Sequence, residues 1–507
     1  MQIKKLIEVL SGAEVDGPVD RDILAIHYDS RRVTPESLFV ALPGLKTDGH
    51  KFIEHAVKRG AAAILVEKPV TAVRRATVIC VPNAREAMAR LAAQFYGHPY
   101  RKMKVIGITG TNGKTTTAFM IQRILKEAGI KTGLIGTVRY EIGERVIPAA
   151  RTTPEAVELH EMMAQMVRQN CGAVVMEVSS HSLDQKRVLG IDFDVAVFTN
   201  LTQDHLDYHK TMDGYFDAKS ILFKSLSTNG KIGIAVINVD DPRGRELTAM
   251  PLKAAKLTYG IENEAMVCGK TLAVNCVGLK FEVATPKGEE RISLPLFGRY
   301  NVSNALGALG ACMALGVKLP TMARALKSLP AVPGRLERVD CGQPFQVFVD
   351  YAHTDDALKN MLGTLRESTA KRLLVCFGCG GNRDTRKRAL MGRVAAELAD
   401  FSVLTSDNPR KEEPRAIIAQ IEEGFSGSGS EAAKYEVVED RREAINRVLA
   451  MAGAGDVVVI AGKGHETYQE FADTVISFDD REVAREYLTQ CWKKRPSDTP
   501  PAPAGAN

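Results

Sequence analysis

The pattern of apolar and polar positions predicts an α/β protein. Short apolar runs rich in valine and isoleucine alternate with stretches in which apolar residues recur every three or four positions, as in strands followed by helices. This alternation is typical of largely parallel sheets covered by helices. Strands are predicted at 23–29, 37–42, 62–66, 77–81, 174–178, 195–200, 346–350, 372–377, 401–405 and 457–461, and helices at 84–95, 118–128, 390–399, 416–423 and 441–450.

The same pattern divides the chain into three predicted domains. At about 150 residues per domain, a chain of 507 residues has room for three. The boundaries follow two turn-rich segments, 99–102 and 332–335, so the domains are 1–100, 101–334 and 335–492. Residues 269–296 alternate polar and apolar positions, which predicts an antiparallel excursion. The last residues, 493–507, are rich in Pro and Ala and are predicted to be disordered.

Eleven residues, Gly107-Ile-Thr-Gly-Thr-Asn-Gly-Lys-Thr-Thr-Thr117, lie where a predicted strand turns into a helix. Glycines there let backbone N–H groups surround a phosphate, Lys114 adds a charge, and the hydroxyl of Thr115 or Thr116 can reach Mg²⁺. The outer glycine, Gly107, lies one residue further out than in the usual P-loop pattern. The segment predicts ATP or GTP binding, and a fortuitous glycine-rich turn is the alternative.

The fold class that follows is α/β with three domains. The middle one is a central P-loop mononucleotide-binding α/β domain, because it begins with this segment. The last one alternates strands and helices again and is a C-terminal Rossmann-like doubly wound domain.

Composition and charge narrow the possible functions. The net charge of +6 is mild, and no block of Lys and Arg is interleaved with aromatic residues, so no nucleic acid is expected as a partner. No run approaches 18 apolar residues, and the first residues lack the apolar region of a signal peptide. We therefore expect no membrane insertion and a cytoplasmic location. Nine scattered cysteines fit reduced thiols.

Seven motifs, in one order along the chain, carry a resemblance to a known family. They are Gly110-Thr-Asn-Gly-Lys-Thr-Thr116, Met176-Glu-Val-Ser-Ser-His181, Thr199-Asn-Leu-Thr-Gln-Asp-His205, Asn301-Val-Ser-Asn304, Pro333-Gly-Arg-Leu-Glu337, Asp350-Tyr-Ala-His-Thr354 and Asp407-Asn-Pro-Arg410. Each is weak alone, but the ordered set resembles the Mur ligase family over residues 25–485. Within that family the chain is most similar to the members that add meso-diaminopimelate.

The resemblance implies a reaction. ATP phosphorylates the D-Glu carboxylate of UDP-N-acetylmuramoyl-L-Ala-D-Glu, and the amine of meso-diaminopimelate attacks the acyl phosphate to form an amide for peptidoglycan synthesis. A carboxylate is a poor electrophile until one oxygen becomes a good leaving group, and phosphoryl transfer needs its charge neutralised. The expected cofactors are ATP and Mg²⁺, the expected partners are these small-molecule substrates, and the expected state is a monomer. The first domain would bind the UDP substrate, the second ATP and the third the amino acid.

The family pattern also implies residue roles at the phosphate-binding end. ATP contacts are expected from Gly110, Thr111, Asn112, Gly113, Lys114, Thr115, Thr116, Asn301, Arg335 and Asp350. The expected metal ligands are Thr115, Glu177, His205 and Lys219, and the expected catalytic residues are Lys114, Glu177, His205 and Lys219. Glu177 ends an apolar run, where a carboxylate can bind a metal, whereas His205 follows from the resemblance because imidazole is unusual around Mg²⁺. The local sequence around Lys219 is typical of a solvent-exposed helix position, but the resemblance implies a lysine carbamylated by CO₂.

The UDP substrate is expected to lie across the first two domains. Its contacts would come from Ser30, Thr152, Thr153, Ser179, Gln185 and Arg187, which offer hydroxyl, amide and guanidinium groups to an anionic ligand. A turn at Thr-Pro and a helix N-cap serine are the structural alternatives, and both readings can hold together. Residues 44–48 match the family more loosely.

The third domain is expected to select the amino acid. Asp407-Asn-Pro-Arg410 follows a predicted strand at the carboxyl edge, where open α/β sheets bind ligands. meso-Diaminopimelate carries one more carboxylate than lysine, and a guanidinium is its natural bidentate partner. The expected contacts are Arg383, Asp407, Asn408, Pro409, Arg410, Gly462 and Glu466. A surface arginine after an Asn-Pro turn is the alternative.

One departure and two further functions remain open. Relatives read His-Thr-Pro-Asp where this chain reads His353-Thr-Asp-Asp356, and we expect the missing proline, replaced by Asp355, to loosen that turn. The chain could instead be another ATP-dependent amide ligase, of the lysine-adding Mur or folylpolyglutamate synthetase type. Arg410 argues against the first, and the 100 residues before the phosphate loop argue against the second. A P-loop switch without ligase activity is the third possibility.

Overall fold

The computed structural model describes residues 1–44, 47–70, 75–228, 230–275, 278–369, 371–426 and 434–492. The described strands form three main sheets that follow one another along the chain and are covered by helices, so the predicted α/β class is confirmed. The predicted disordered tail and residues 45–46 of the segment 44–48 lie outside the described residues.

The first sheet is built by residues 14–80. Its strands are β1 (Glu14–Asp16), β2 (Ala25–His27), β3 (Ser37–Val40), β4 (Ala61–Val66) and β5 (Thr77–Cys80), and its helices are α1 (Ile3–Ile7), α2 (Ile53–Lys58) and α3 (Ala84–Phe95). The strands pair in the order β1-β5-β4-β3-β2, parallel except for β1. Helix α3 has the predicted bounds because the Asn83 side chain caps it by accepting the Glu86 N–H.

The second sheet is built by residues 104–294. Its strands are β6 (Lys104–Thr109), β7 (Thr132–Ile135), β8 (Arg139–Ile142), β9 (Arg145–Pro148), β10 (Ala173–Glu177), β11 (Val195–Phe198), β12 (Ile234–Asn238), β13 (Ala255–Gly260), β14 (Val267–Asn275), β15 (Gly278–Thr285) and β16 (Gly288–Leu294). Its helices are α4 (Lys114–Glu127), α5 (Ala156–Arg168), α6 (Ser180–Asp184), α7 (Leu206–His209), α8 (Met212–Lys224), α9 (Pro242–Ala249), α10 (Tyr300–Ala314) and α11 (Leu319–Lys327).

The order of these strands places the phosphate loop at the middle of the sheet. They pair as β16-β15-β14-β13-β12-β11-β6-β10-β7-β8-β9, and β6 has parallel neighbours on both sides. The strands β14, β15 and β16 pair antiparallel, as the alternation in 269–296 predicts. Because β6, β10 and β11 are parallel, their carboxyl ends meet at one edge, and the residues that follow them come together there.

The third sheet is built by residues 337–461. Its strands are β17 (Glu337–Arg338), β18 (Gln346–Asp350), β19 (Leu373–Phe377), β20 (Phe401–Leu404), β21 (Tyr435–Val437) and β22 (Val457–Ala461), followed by a hairpin of β23 (Tyr468–Glu470) and β24 (Val475–Ser477). Its helices are α12 (Asp355–Ser368), α13 (Arg386–Leu398), α14 (Pro414–Ser426), α15 (Arg441–Met451) and α16 (Asp480–Trp492). The strands pair as β17-β18-β22-β19-β20-β21, parallel except for β17, so the expected doubly wound arrangement is confirmed.

The segment 99–102, predicted as a linker, has regular structure. Residues Pro99–Lys102 form a 3₁₀ helix, and the Tyr100 side chain is buried against the second sheet. The preceding His98 has a positive φ of 49°, and its ring bonds the Tyr100 hydroxyl at 2.9 Å. The connection between the first two sheets is therefore packed rather than loose.

A buried ion pair joins the last two helices to the third sheet. Arg441 and Asp480 are both inaccessible, and two nitrogens of Arg441 lie 2.8 and 2.7 Å from the two carboxylate oxygens. The same guanidinium donates to the carbonyls of Ser406 and Ala461, beyond the ends of β20 and at the end of β22. The pair therefore fixes the strand ends that carry the 407–410 and 462–466 loops.

We predict that Arg441→Met lowers the free energy of unfolding of this region by about 3–5 kcal/mol, because it leaves Asp480 buried and unpaired. Arg442 and Glu486 link the same two helices at the surface, with about half of each side chain exposed. Arg442→Met should cost less than about 1 kcal/mol. Urea unfolding measures both, with hydrogen exchange of β20 and β22 locating the loss. Equal losses would contradict the prediction.

Candidate active site

The phosphate loop lies at the centre of the second sheet, between β6 and α4. Gly110 has φ 149°, and a Cβ there would lie 1.9 Å from the Thr199 hydroxyl oxygen. Gly113 has φ 84°, and a Cβ there would lie 2.2 Å from the Asn304 amide oxygen. Both positions therefore require glycine, for conformation and for space. Helix α4 begins at Lys114, four residues before its predicted start, because the apolar pattern does not extend into its first turn.

Two lysines meet at one carbonyl of this loop. Lys114 Nζ donates to the carbonyls of Gly110 at 2.9 Å and Thr111 at 2.8 Å. Lys219 Nζ donates to the same Gly110 oxygen at 2.8 Å. Burial lowers the pKa of both ammonium groups, and that of Lys219 falls well below its ordinary value with Lys114 nearby as a second cause.

Lys219 lies in the interior, contrary to its reading as a solvated helix position. Lys219 is 1% exposed and lies on the buried face of α8. Its Nζ lies 4.4 Å from the centre of the Tyr215 ring, and the Tyr215 hydroxyl lies 3.3 Å from that of Thr111. The structure therefore brings Lys219 to the phosphate loop.

Glu177 lies at the end of β10, beside β6, and is 1% exposed. Its carboxylate accepts hydrogen bonds from the Thr115 hydroxyl at 3.0 Å and from the backbone and hydroxyl of Thr137 at 2.9 Å each. Hydroxyl and carboxylate oxygens of the kind that Mg²⁺ prefers thus lie together at the start of α4. Thr137 belongs to no motif that the sequence comparison used, so nothing in the pattern singled it out.

His205 belongs to a cluster of rings at the edge of the loop. It has a positive φ of 54°, its side chain is 43% exposed, and its Nε2 lies 3.4 Å from Asp204. Its ring centre lies 4.9 Å from that of His181 and 6.0 Å from that of Tyr215. Across the described part of the chain, no three His, Cys, Asp or Glu side chains are arranged to share a metal ion.

A cleft between the second and third sheets receives the remaining residues expected to bind ATP. It has a volume of about 230 Å³. Its lining includes Asn112, Gly113, Thr115 and Thr116 from the phosphate-loop region, the expected Asn301, Arg335 and Asp350, and also Asn200, Tyr300, Asn304, Asp356 and Asn360. Sequence reasoning missed the last five, although Asn200 and Asn304 lie inside two of the quoted motifs.

Arg335 reaches from the third segment to the phosphate loop. Its Nη2 donates to the Thr115 hydroxyl at 3.2 Å, and its guanidinium lies 4.9 Å from the centre of the Tyr351 ring. Its buried Nε has no hydrogen-bond partner among the residues that the structure describes. Asp350 acts differently, because its carboxylate accepts the backbone N–H groups of Leu336 at 2.6 Å and Ala352 at 2.7 Å. It holds the loop that carries Arg335.

Asp356 bonds the third segment directly to the phosphate loop. Its carboxylate accepts from the Asn112 amide at 2.8 Å and from the Thr202 hydroxyl at 3.1 Å. The neighbouring Asp355 begins helix α12, and Thr354 caps that helix by accepting the Ala357 N–H. A side-chain cap and acidic residues in the first turn stabilise this helix start without proline, and the looser turn expected from Asp355 stays a prediction.

The residues expected to bind the UDP substrate fall into two places. Thr152 Oγ1 lies 3.1 Å from Thr137 Oγ1, and Thr153 Oγ1 donates to the Glu177 carbonyl at 2.8 Å. Ser179 caps α6, as its structural alternative proposes, and its N–H donates to Thr153 Oγ1 at 3.1 Å. Arg187 completes the group by donating to the Thr153 carbonyl at 2.9 Å and to Gln185 at 2.6 Å.

Ser30 lies apart from that group, in the first segment. It is buried at the start of the 3₁₀ helix Ser30–Arg32, which Asp29 caps by accepting the Arg31 N–H. The first segment reaches the second through Glu158, whose carboxylate accepts from the Tyr28 hydroxyl at 2.8 Å and from Arg32 at 3.3 Å. Among the described residues, no hydrogen bond joins Ser30 to Thr152, Thr153, Ser179, Gln185 or Arg187.

The loop 407–410 is packed against the loop 462–466 at the edge of the third sheet. Asn408 is 2% exposed, and its amide nitrogen donates to Glu466 at 2.8 Å. Gly462 has φ 111°, and a Cβ there would lie 2.7 Å from the Asp407 carboxylate. Pro409 is buried, and a Cβ at Gly381 would lie 1.9 Å from its carbonyl oxygen. Burial raises the pKa of Glu466.

The two arginines expected to bind the distal carboxylate differ in their surroundings. Arg410 has a positive φ of 54°, and its side chain donates to Glu470 at 2.9 Å and to the Gly381 carbonyl at 2.8 Å. Arg383 is exposed, in the loop after β19. A Cβ at Gly380 would lie 3.0 Å from Arg410 Nη1 and 4.0 Å from Arg383 Cγ, so both arginines flank this glycine.

Comparisons with known proteins agree with the seven motifs. Three family models match the chain: the Mur ligase family, catalytic domain, at residues 22–96; the Mur ligase middle domain at 108–312; and the Mur ligase, glutamate ligase domain, at 334–464. No helix among the described residues is both long and apolar enough to cross a membrane.

Relatives of high identity extend over nearly the whole chain. A protein from Geobacillus thermodenitrificans named UDP-N-acetylmuramoyl-L-alanyl-D-glutamate--2,6-diaminopimelate ligase is 48% identical over 492 residues, covering 96% of this chain and 99% of the relative. One of the same name from Syntrophomonas wolfei is 46% identical, with coverages of 96% and 99%.

Solved structures resemble the chain in the same way. A structure of an enzyme with that name is 33% identical and superposes with a TM-score of 0.68, covering 97% of this chain and 99% of the other. A folylpolyglutamate synthase from Mycobacterium tuberculosis in complex with ADP covers only 74% of this chain and 91% of its own, at 20% identity and a TM-score of 0.61, and so shows the fold alone. The predicted family is confirmed, and the chain belongs to the Mur ligase family.

Proposed function

We propose that this protein is an ATP-dependent ligase that adds meso-diaminopimelate to the D-Glu carboxylate of UDP-N-acetylmuramoyl-L-Ala-D-Glu during peptidoglycan precursor synthesis in the cytoplasm. The observation that carries the proposal is the pair of packed loops 407–410 and 462–466, together called the acceptor loop. Arg410 and Arg383 flank Gly380 on one side, and the Asp407 and Glu466 carboxylates lie on the other. An amino acid with an additional carboxylate and a distal ammonium is complementary to both sides. The named relatives support the same assignment.

The three sheets have separate roles in this proposal. Residues 1–100 bind the UDP group, residues 101–334 bind ATP, and residues 335–492 bind the amino acid. Thr152, Thr153, Ser179, Gln185 and Arg187 bind the peptide end of the nucleotide substrate, because they lie at the end of β10 beside Glu177. Ser30 contacts the UDP end, which fits its position in the first segment.

The phosphate loop and its lysines neutralise the transferring phosphoryl group. The backbone N–H groups at the start of α4 and the ammonium of Lys114 face the phosphates. Arg335 adds a guanidinium whose buried Nε finds no partner in the described part of the chain, and Asp350 holds the loop that positions it. A γ-phosphoryl group moves to the D-Glu carboxylate oxygen, ADP leaves, and the incoming amine then displaces phosphate from the acyl carbon.

Magnesium fits the oxygen ligands at the start of α4. Thr115 Oγ1 and the Glu177 carboxylate lie 3.0 Å apart, and both are oxygen ligands of the type that Mg²⁺ takes. We propose Thr115 as a protein ligand of one ion, and Glu177 with His205 and a carbamylated Lys219 as ligands of a second. When bound, Mg²⁺ supplies positive charge that stabilises the phosphoryl oxygens.

Lys219 is suited to carbamylation by its surroundings. The reaction needs the neutral amine, and burial beside Lys114 favours that form. The Nζ lone pair forms a bond to the carbon of CO₂, a proton leaves the nitrogen, and the product carries one negative charge. The negative carbamate is attracted to the Lys114 ammonium, whereas a protonated Lys219 would be repelled by it.

An acceptor scan tests the function. We expect ATP-dependent phosphate release with UDP-N-acetylmuramoyl-L-Ala-D-Glu to require meso-diaminopimelate. L-Lysine should give a kcat/KM at least about 100-fold lower, because it has no second carboxylate to pair with Arg383 and Arg410. D-Alanine should give no release above the reaction without acceptor. A preference for lysine would indicate the lysine-adding relative, and release that no acceptor changes would indicate a P-loop switch.

We predict that Lys219→Ala lowers kcat by about 100-fold or more, because it removes a charge-bearing group at the phosphate loop. Lys224 is exposed on the same helix and provides the control, since Lys224→Ala should leave kcat unchanged. Steady-state phosphate release measures both variants, and added short-chain carboxylic acids should partly restore the Lys219 variant. Full activity of Lys219→Ala would remove this residue from the site.

We predict that Arg410→Ala raises the KM for meso-diaminopimelate by about 10-fold or more and leaves the KM for ATP within about twofold. A lost charge-assisted contact costs about 1.5–3 kcal/mol. Arg415→Ala, at an exposed position of the following helix, is the matched control. Initial rates at varied concentrations of each substrate separate the two constants. Equal increases in both would indicate a folding defect instead.

A further inference from the structure

A lysine that no motif assignment uses lies inside the acceptor loop. Lys463 follows β22 directly and is completely inaccessible to solvent. Its Nζ lies 3.1 Å from the Asn408 amide oxygen and 3.1 Å from the Glu466 carboxylate. The Tyr468 ring centre lies 5.4 Å away. Burying an ammonium costs free energy unless hydrogen-bond partners offset the loss of water. The Asn408 oxygen and the Glu466 carboxylate therefore determine where the Lys463 ammonium lies.

Lys463 fixes the orientation of the Asn408 amide. The amide oxygen accepts from Lys463 and from the Glu470 N–H at 2.9 Å, which leaves the amide nitrogen to donate to Glu466 at 2.8 Å. An amide flipped by 180° would face two donors with its nitrogen. Lys463 and Asn408 together therefore hold the same Glu466 oxygen in one place.

The same amide links the two sides of the loop. Glu470, whose N–H donates to Asn408, accepts from Arg410 Nε at 2.9 Å, and its carbonyl accepts the Arg410 N–H at 3.0 Å. A continuous set of hydrogen bonds therefore runs from Lys463 through Asn408 to Arg410. The carboxylate and guanidinium sides are positioned by one network.

Two carboxylates of this network lie close enough to repel each other. Burial raises the pKa of Glu466, and the nearby charge of Asp407 raises it further, although Lys463 opposes both effects. Asp407 is itself buried, and a Cβ at Gly462 would lie 2.7 Å from its carboxylate. An acceptor with a distal ammonium would reduce this repulsion.

We propose that Lys463 is a positioning residue that sets the selectivity of the acceptor site for amino acids bearing a distal ammonium. It holds the Glu466 carboxylate at the place where that ammonium binds, and it does not contact the reacting atoms. The inference builds on the proposed function, because it concerns the same acceptor site.

The test compares Lys463→Met with the wild-type enzyme for two acceptors. One is meso-diaminopimelate, and the other is 2-aminopimelate, which lacks the distal ammonium and is otherwise matched. We expect Lys463→Met to raise the KM for meso-diaminopimelate at least tenfold, with kcat and the KM for ATP changed less than about threefold. Binding of 2-aminopimelate, measured by calorimetry with ADP and the UDP substrate present, should change less than threefold. Equal losses for both acceptors, or no loss for either, would overturn the proposal.

Three controls keep the outcomes distinct. Lys371→Met removes an exposed lysine from the same segment and should leave every constant unchanged. Glu466→Gln should reproduce the selective loss, and adding Lys463→Met to it should lower affinity no further, because the two residues act together. If Lys463→Met does not fold, Lys463→Gln should show the same selectivity with a smaller effect. A wild-type enzyme that ignores meso-diaminopimelate would sink the proposed function itself.

Discussion

The convergence of two lysines on the Gly110 carbonyl is the constraint on which the rest of the site depends. Two ammonium groups bound to one oxygen repel each other, and burial strengthens that repulsion because water is excluded. The arrangement becomes favourable when negative charge arrives or when one amine loses its proton. The surrounding oxygens of Glu177 and Asp204 offset part of the charge. The loop is therefore prepared for anions before any nucleotide binds.

The parallel strands bring the remaining groups to that loop. Lys114, Glu177 and the Thr199 region follow β6, β10 and β11, so three separate parts of the chain share one edge of the second sheet. The third segment adds Arg335 from the turn before β17 and Asp356 from α12. Phe297 packs against Phe348 across these two segments, while polar side chains make the hydrogen bonds to the phosphate loop and a cleft remains beside them. This gives room for a substrate between the sheets.

The sequence predicted the parts that depend on local pattern. Apolar runs located strands in each of the three sheets, among them β4, β10 and β22, but left others such as β7, β12 and β13 unpredicted. Glycines and threonines located the phosphate loop. Helix starts were predicted less well, because the first turns of α4 and α13 are polar and depend on their contacts. The burial of Lys219 and Lys463 was not predictable from composition, because lysine is exposed in most proteins. The bond between Asn112 and Asp356 joins residues 244 positions apart, and only the packing of the segments reveals it.

That bond has a consequence for how ligands communicate. Asn112 belongs to the phosphate loop and Asp356 to the segment that carries the acceptor loop, so the conformational free energies of both are linked through one carboxylate. This coupling is reciprocal. If a bound nucleotide stabilises the third segment near the phosphate loop by some free energy, the third segment in that position strengthens nucleotide binding by the same amount. The affinity for the nucleotide and the position of the third segment are then two measures of a single equilibrium.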